Sequence, residues 1–258
     1  MTPLDLIWIA GLGGGIAALV RYAGWFTSAG ALTGGLFGAH AVVVGGLDWV
    51  VPLSVFVASG SVMSRMKVAT ATIVNTDTRP RTAMQVLANG GWAWAALALM
   101  PWTGAEWMYP VYVGSLAAAT ADTWGTEVGT RWHTRAWSLR TGTWVPAGTS
   151  GAVSGSGTVA SIAGAGIIAA LGAVLGPLSW SGVAWVAFGG WIGSLVDSVL
   201  GAYGQAQYAD QQDEIWHDEP TTSSEAPVYG TRYLTNSGVN AIATLVGAVW
   251  AGAWGWLM

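Results

Sequence analysis

The stretch AGALTGGLFGAHAVVVGGLDWVVPLSVFVASGSVMS, residues 29–64, contains Asp48 as its one acidic or basic side chain apart from His40. A membrane-spanning helix needs about 20 mainly apolar residues, and this run is long enough for two. Gly45-Gly46 and Pro52 bracket Asp48, and glycine and proline are the strongest local breakers. The run therefore divides into spans at 29–46 and 49–64. The remaining apolar stretches fall at 4–20, 82–100, 107–128, 152–175, 180–203 and 236–257. The expected fold is all-α: a polytopic membrane helix bundle of about eight transmembrane helices, forming a single integral membrane domain over residues 1–258. The first stretch carries Asp5 and lacks a charged leader, so it reads as a retained helix rather than a cleaved signal.

Composition agrees. Of 258 residues, 53% are hydrophobic and only 9 basic and 13 acidic side chains are present, against roughly a quarter charged in soluble domains. A net charge of −4 offers no basic face for nucleic acid. The absence of cysteine excludes disulfides and thiolate metal sites. Period-2 alternation of the kind a transmembrane barrel requires is missing. The one long hydrophilic segment, 204–235, holds Asp210, Asp213, Glu214, Asp218, Glu219 and Glu225 and is expected to be a solvated acidic loop on the cytoplasmic side.

The basic residues set the orientation. With an outside N-terminus, the inward connections hold Arg21, Arg65, Lys67, Arg79, Arg81, Arg131, Arg135, Arg140 and Arg232, which are all 9 of them. The outward ones hold Asp5, Asp48 and Glu106 and no Lys or Arg. Short-loop Lys/Arg bias decides orientation, so both termini are expected outside. The 18 tryptophans are expected to serve mostly as interfacial anchors, and Gly11, Gly13, Gly14 and Gly15 as a helix-packing face.

Polar side chains within the spans recur at helical spacing. Arg81, Gln85 and Asn89 lie at steps of four, as do Gly189, Gly193, Asp197, Gly201 and Gln205. Asn236, Asn240 and Thr244 form a third stripe, and Ser115, Ala118, Asp122, Thr126 and Gly129 a fourth. Residues three or four apart share a helix face, and all four stripes occupy the inward half, which implies one polar cavity open to the cytoplasm. Interhelical hydrogen bonding, worth about 1 kcal/mol or less per pair, is an equally good account of any single amide. It does not account for Asp122 and Asp197, since a buried carboxylate needs a proton or a cation beside it. Oxygen ligands without His or Cys suit Mg²⁺. Glu127 lies about 140° around a regular helix from Asp122, so it joins the same ion only if the helix ends or bends near Gly125 and Gly129; otherwise it serves the cavity mouth. His40, His133 and His217 are dispersed and are assigned no metal.

The turn Gly148-Thr149-Ser150-Gly151 leads toward the sixth span on the same inward side, where backbone N–H groups and a helix dipole favour phosphate. It lacks a P-loop lysine. Basic loops, a phosphate-type turn and buried carboxylates together suit phosphoryl transfer, in which catalysis is mostly positioning and charge neutralisation.

Several segments resemble the DUF92 family of integral membrane proteins, which includes transmembrane protein 19 and the plant phytyl-phosphate kinase. They are Gln85-Val86-Leu87-Ala88-Asn89-Gly90-Gly91, the run from Gly114 to Trp124 ending Ala121-Asp122-Thr123-Trp124, Thr126-Glu127-Val128-Gly129, and Gly193-Ser194-Leu195-Val196-Asp197-Ser198. The resemblance runs from about residue 50 to the end. It departs from the family pattern at Ser150 to Ala152, at Tyr203 and at Ser237. It implies a prenyl-phosphate kinase that moves a phosphoryl group from CTP, or else ATP, to an isoprenoid monophosphate. Asp122, Glu127 and Asp197 would then be catalytic and hold Mg²⁺. Lys67, Arg79 and Arg81 would neutralise nucleotide, and Asn89, Asn236 and Asn240 would orient phosphate or head group. Gln85, Thr123, Gln205 and the turn 148–151 would complete the substrate surface.

The alternative from another class is a cation-coupled transporter using the same carboxylates as an ion site. Its usual internal repeat is not evident: Gly-Ser-Leu recurs at 114–116 and 193–195, but at different offsets from the following Asp. A receptor or scaffold without chemistry leaves the carboxylates unexplained.

Overall fold

A computed structural model describes residues 3–66, 79–104, 106–132, 134–209, 216–218, 220 and 225–257. Its long helices are α1 (Pro3–Tyr22), α2 (Ser28–His40), α3 (Leu47–Met63), α4 (Ala83–Thr103), α5 (Met108–Trp132), α6 (Gly155–Leu175), α7 (Trp180–Tyr203) and α8 (Asn236–Leu257). Each coincides with one of the expected apolar stretches. By length and composition, five are able to cross a membrane: α1, α2 with the turn that extends it, α6, α7 and α8. Helix α3 is apolar but shorter, at 17 residues. Helices α4 and α5 are less apolar, and for α5 the reason is its position. It is surrounded by α3, α4, α6, α7 and α8, and every residue from Tyr112 to Ala121 is buried, so its small and polar side chains face protein.

The break at Asp48 has a chemical cause. Helix α2 passes into a π-helical turn at Ala41–Gly45, and Gly46 takes φ +82°, a left-handed value that favours glycine. Helix α3 then restarts with Pro52 in its second turn. Pro52 has no N–H to give the Asp48 carbonyl. The Tyr109 hydroxyl of α5 donates to that carbonyl instead, at 3.0 Å, and Tyr112 donates to the next one, at Trp49. Trp49 packs on Tyr112 with ring centroids 4.6 Å apart, and Phe37 stacks on Trp94 at 5.4 Å. These rings fill the end of the bundle away from the basic residues.

Small residues let the central helices approach closely, as in other membrane bundles. A Cβ on Gly247 of α8 would lie 2.5 Å from the Gly114 carbonyl oxygen of α5, and one on Gly125 would lie 2.2 Å from Ser161 Oγ of α6. In α1 the expectation fails in part. Gly13 packs on Gly35, but a Cβ on Gly11, Gly14 or Gly15 would meet nothing within 4 Å. Helix α1 rests on α2 along one edge, where Gly13 is its one buried residue, so the other three glycines face away from the bundle.

The tryptophans divide likewise. Trp102, Trp180 and Trp256 are exposed near helix ends, as anchors would be. Others tie helices together: Trp94 Nε1 donates to His40 Nδ1 (3.0 Å), Trp124 Nε1 to Ser59 Oγ (3.0 Å) and Trp185 Nε1 to the Trp250 carbonyl (2.9 Å).

The all-α expectation needs correction at the end of the bundle that carries the basic residues. Between α5 and α6, strands β1 (Arg135–Ser138), β2 (Trp144–Pro146) and β3 (Ala152–Val153) form an antiparallel sheet in the order β2-β1-β3. After α7, strands β4 (Tyr208–Ala209) and β5 (Trp216–His217) pair antiparallel. These strands are two to four residues long, too short for an alternating pattern to register.

The 204–235 segment is also not simply a solvated loop. Gln205 and Gln207 are buried and pair through backbone with Thr231 and Tyr229. Asp210, Asp213, Glu214 and Glu219 lie outside the described residues, as does His133.

Candidate functional site

The meeting of α5 and α7 is set by glycine. A Cβ on Gly190 would lie 2.8 Å from the Ala117 Cβ, and one on Gly193 would lie 2.7 Å from the Ala118 Cβ. Both helices run in the same direction, so one turn further on Asp122 follows Ala118 and Asp197 follows Gly193. The two carboxylates thus arrive at one depth on facing helices. Asp122 and Asp218 both act electrostatically on Asp197. Each of the paired aspartates keeps some accessible surface, yet both are densely surrounded by protein, because that surface faces a cavity below the bundle end. Among the described residues neither is ion-paired, and Asp197 Oδ2 is buried without a hydrogen-bond partner.

The cavity holds about 260 Å³ and gathers most of the side chains expected in the site. Asp122, Thr123 and Glu127 come from α5, Asp197 from α7, Gln85 and Asn89 from α4, and Asn236 and Asn240 from α8. Arg79 and Arg81 enter from the segment before α4, and Gly148, Thr149, Ser150 and Gly151 from the turn after β2. All of these positions lie at the end of the bundle that carries the basic residues.

Local chemistry fixes several of them. Thr82 caps α4 in a capping box: its hydroxyl accepts from Gln85 N–H at 3.3 Å, while Gln85 Oε1 accepts from Thr82 N–H at 2.8 Å. Gln85 therefore helps to start the helix as well as lining the cavity. Arg81 exchanges backbone hydrogen bonds with Trp25 and Thr27, each 3.0 Å. Its guanidinium lies over Phe56 at 5.8 Å and against Gly60, where a Cβ would come within 2.7 Å of Nη2. The same Cβ would lie 3.1 Å from Thr123 Cγ2, which puts Arg81 beside the residue that follows Asp122. Asn89 Nδ2 donates to the Gln85 carbonyl at 3.0 Å. Thr244 behaves structurally, donating to the Ala88 carbonyl of α4 at 2.9 Å.

Three expectations are corrected. Helix α5 runs unbroken through Gly125 and Gly129, so Glu127 keeps its offset from Asp122. It pairs instead with Arg131, at 3.2 Å, near the cavity mouth. Among the described residues no three His, Cys, Asp or Glu groups cluster for a metal, so a ligand triad of Asp122, Glu127 and Asp197 is not formed. Gln205 lies beyond the end of α7, buried and outside the cavity lining, because the helix stops at Tyr203 and the stripe stops with it. The glycine turn does not run straight into α6. Ala152 and Val153 pair with β1, and Ser154 caps the helix by accepting from Gly157 N–H at 3.1 Å. Lys67 lies outside the described residues.

The turn is nonetheless a built feature. Gly148 and Gly151 take φ +87° and +74°, and a Cβ on Gly151 would lie 2.3 Å from Ala202 N and Cα. The turn is thereby locked against α7 one turn beyond Asp197.

Sequence reasoning missed Arg65, Trp191, Ser194, Ser198 and Asp218, all of which line the cavity. Arg65 had a signal in the basic loop, Ser194 lies three residues before Asp197 at helical spacing, and Ser198 directly follows it. Asp218 had none, being one acid among several in a segment read as solvent-exposed. Trp191 also brings a buried indole N–H without an acceptor among the described residues.

The donor set is therefore carboxylate and hydroxyl oxygen with no sulfur or imidazole, around a buried carboxylate oxygen that lacks a partner. Leaving such a charge uncompensated costs several kcal/mol, and a cation or a proton removes that cost. Mg²⁺ fits this set: it is commonly held by one or two carboxylates plus phosphate oxygens and water rather than by a complete protein cage.

Comparison with curated proteins gives no match, and comparison with solved structures gives none. The family described as integral membrane protein DUF92 matches residues 12–248, so the likeness extends well upstream of residue 50 and takes in all the described cavity residues. With its several apolar helices and this match over nearly its whole length, the chain belongs to the DUF92 family of multi-pass integral membrane proteins.

Proposed function

We propose that the protein is a Mg²⁺-dependent prenyl-phosphate kinase. It transfers the terminal phosphoryl group of CTP or ATP to an isoprenoid monophosphate such as phytyl, farnesyl or geranylgeranyl phosphate. All eight helices cross the bilayer in this proposal, both termini lie outside, and the cavity opens to the cytoplasm. The observation that carries it is the convergence in one cavity of Asp122 and Asp197, the arginines 65, 79 and 81, and the Gly148–Gly151 turn. Anionic phosphates and a divalent cation are the ligands that satisfy both signs of charge at once.

Asp122 and Asp197 would hold the metal, which when bound draws negative charge from the phosphates and orients them. Arg81 and Arg79 take nucleotide phosphate, and backbone N–H groups of the glycine turn add uncharged donors. Asn89, Asn236 and Asn240 orient the acceptor. An acceptor phosphate oxygen forms the new bond to the terminal phosphorus, the bridging P–O bond breaks, and the nucleoside diphosphate leaves with that electron pair. No general base is needed, because a monophosphate is largely dianionic near neutral pH, with a second pKa of about 6.

Purified protein is assayed with phytyl, farnesyl and geranylgeranyl phosphate against CTP and ATP. Prenyl diphosphate and nucleoside diphosphate are expected in equal amounts with Mg²⁺ and neither after chelation. Cation-driven uptake into proteoliposomes with no nucleotide turnover would favour a transporter instead. The ring-filled end at Trp49, Tyr109 and Tyr112 argues against a through-path. Gly60→Val places side-chain atoms where Arg81 Nη2 now lies and is expected to weaken nucleotide binding by about tenfold. Titration calorimetry with Mg²⁺ and a non-hydrolysable nucleotide checks this, and unchanged affinity would remove Arg81 from the phosphate site.

A further inference from the structure

A second cavity, about 310 Å³ and lined almost wholly by apolar side chains, lies between α1, α2, α3 and α4. It shares Trp25, Arg81, Gln85 and Asn89 with the polar cavity, so the two meet where the cationic and amide groups stand. Along α2 and the π-helical turn that extends it, the wall runs from Gly34 through Gly38 to Val42, and along α3 from Ala58 back to Val50. Each wall spans eight residue steps, about 12 Å of helix. Val42 and Ser54 on its far and lateral sides are exposed, so the groove opens sideways from the bundle.

We infer that this groove holds the hydrocarbon tail of the isoprenoid acceptor, with its phosphate at Gln85 and Asn89, beside the nucleotide phosphate on Arg81. The inference rests on the kinase proposal for its head group and on the groove itself for the tail. Three features commit it to an isoprenoid. The groove is continuous with the polar cavity, as an amphiphile with a phosphate head requires. Its walls are uneven, with the rings of Phe26, Phe37 and Phe56 interrupted by Gly34, Gly38 and Gly90. At Gly34 a Cβ would meet nothing closer than Phe26, at 4.0 Å, so a real notch exists there. Gly34 lies about 6 Å along the helix from Gly30, which packs on the Arg81 carbonyl, so the notch falls within reach of the first methyl branches of a polyprenyl chain, spaced about 5 Å apart at about 1.2 Å advance per bond. At that advance the wall takes between two and three isoprene units. A geranyl tail fits inside it, a farnesyl tail slightly overruns it, and longer tails pass Val42 and Val50 into the bilayer.

Purified full-length protein in lipid nanodiscs is photolabelled with geranyl, farnesyl and geranylgeranyl monophosphates bearing a diazirine at the tail end, and adducts are mapped by mass spectrometry. Adducts are expected on α2 and α3 between Gly34 and Val57, and excess farnesyl monophosphate should suppress them. Gly34→Leu fills the notch near the head and is expected to cut labelling by every probe about tenfold. Val42→Trp closes the far end and is expected to cut geranylgeranyl labelling about tenfold more than geranyl labelling. Adducts on other helices, or adducts that phosphatidic acid removes as well as farnesyl monophosphate does, overturn the assignment; the wild-type map decides even if a variant fails to fold. Groove adducts in a protein that transfers no phosphoryl group would keep the groove and refute the kinase. Turnover with the same chain-length profile in both folded variants would do the reverse.

Discussion

Asp197→Asn is expected to lower phosphoryl transfer by about 10³-fold or more without lowering the protein's thermal stability. The two halves of that expectation have one cause. In the apoprotein Asp197 lies in the field of Asp122 and Asp218, with a buried oxygen that no neighbour satisfies. Replacing the carboxylate by an amide removes like-charge repulsion, so unfolding in detergent without Mg²⁺ should occur at the same temperature or a higher one. The same change removes half of the paired negative charge that would hold the metal. Asp122→Asn should behave alike. Asp218→Asn, on a segment that only reaches over the cavity, is expected to cost less, about 10- to 100-fold. A purely structural aspartate would show the opposite pattern, with stability lost and activity falling only as far as folded protein is lost. Turnover and melting curves measured on the same preparations separate the two.

Gly151→Val is expected to be the most damaging substitution outside the charged groups. Its φ of +74° is a left-handed conformation, which costs a β-branched residue about 1–2 kcal/mol. The added Cβ would also lie 2.3 Å from backbone atoms of Ala202, and helix backbone has little freedom to move aside. Overpacking of this kind typically adds about 1–3 kcal/mol. The turn must then leave α7, taking its N–H groups away from the end of the helix that carries Asp197. Gly155→Ala is the matched comparison, since a Cβ there meets nothing within 4 Å. Thermal unfolding should show a marked loss for Gly151→Val and little change for Gly155→Ala, with nucleotide binding following the same order.

Much of this arrangement is legible in the sequence because the membrane simplifies the problem. A helix that faces lipid must be apolar along its length, so apolar runs mark helices, and Gly46 and Pro52 mark the break between two of them. Polar residues in such runs stand out, and steps of four on α4, α5, α7 and α8 place Asn89, Asp122, Asp197 and Asn240 on a common side before any coordinates are known. The rule weakens outside the apolar runs. The sheet of β1, β2 and β3 is built from short strands whose pairing is settled by tertiary contact, and the buried Gln205 and Gln207 have no apolar signature. Asp218 reaches the cavity only because β5 pairs back on β4 shortly after α7 ends. Gly11, Gly14 and Gly15 match the small-residue pattern of a packing face, but composition does not tell which helices lie at the edge of a bundle. The offset between Asp122 and Glu127 was legible as a condition on helix α5, and the unbroken helix decides against a shared ion.

The central claim is that Asp122 and Asp197, carried by different helices, bind one divalent cation together with phosphate. Mn²⁺ binding, followed by electron paramagnetic resonance in the presence of nucleotide and prenyl monophosphate, tests it most directly. The account predicts a tightly held ion in the wild-type protein that is lost in Asp122→Asn and equally in Asp197→Asn. Undiminished Mn²⁺ binding in either variant would contradict it.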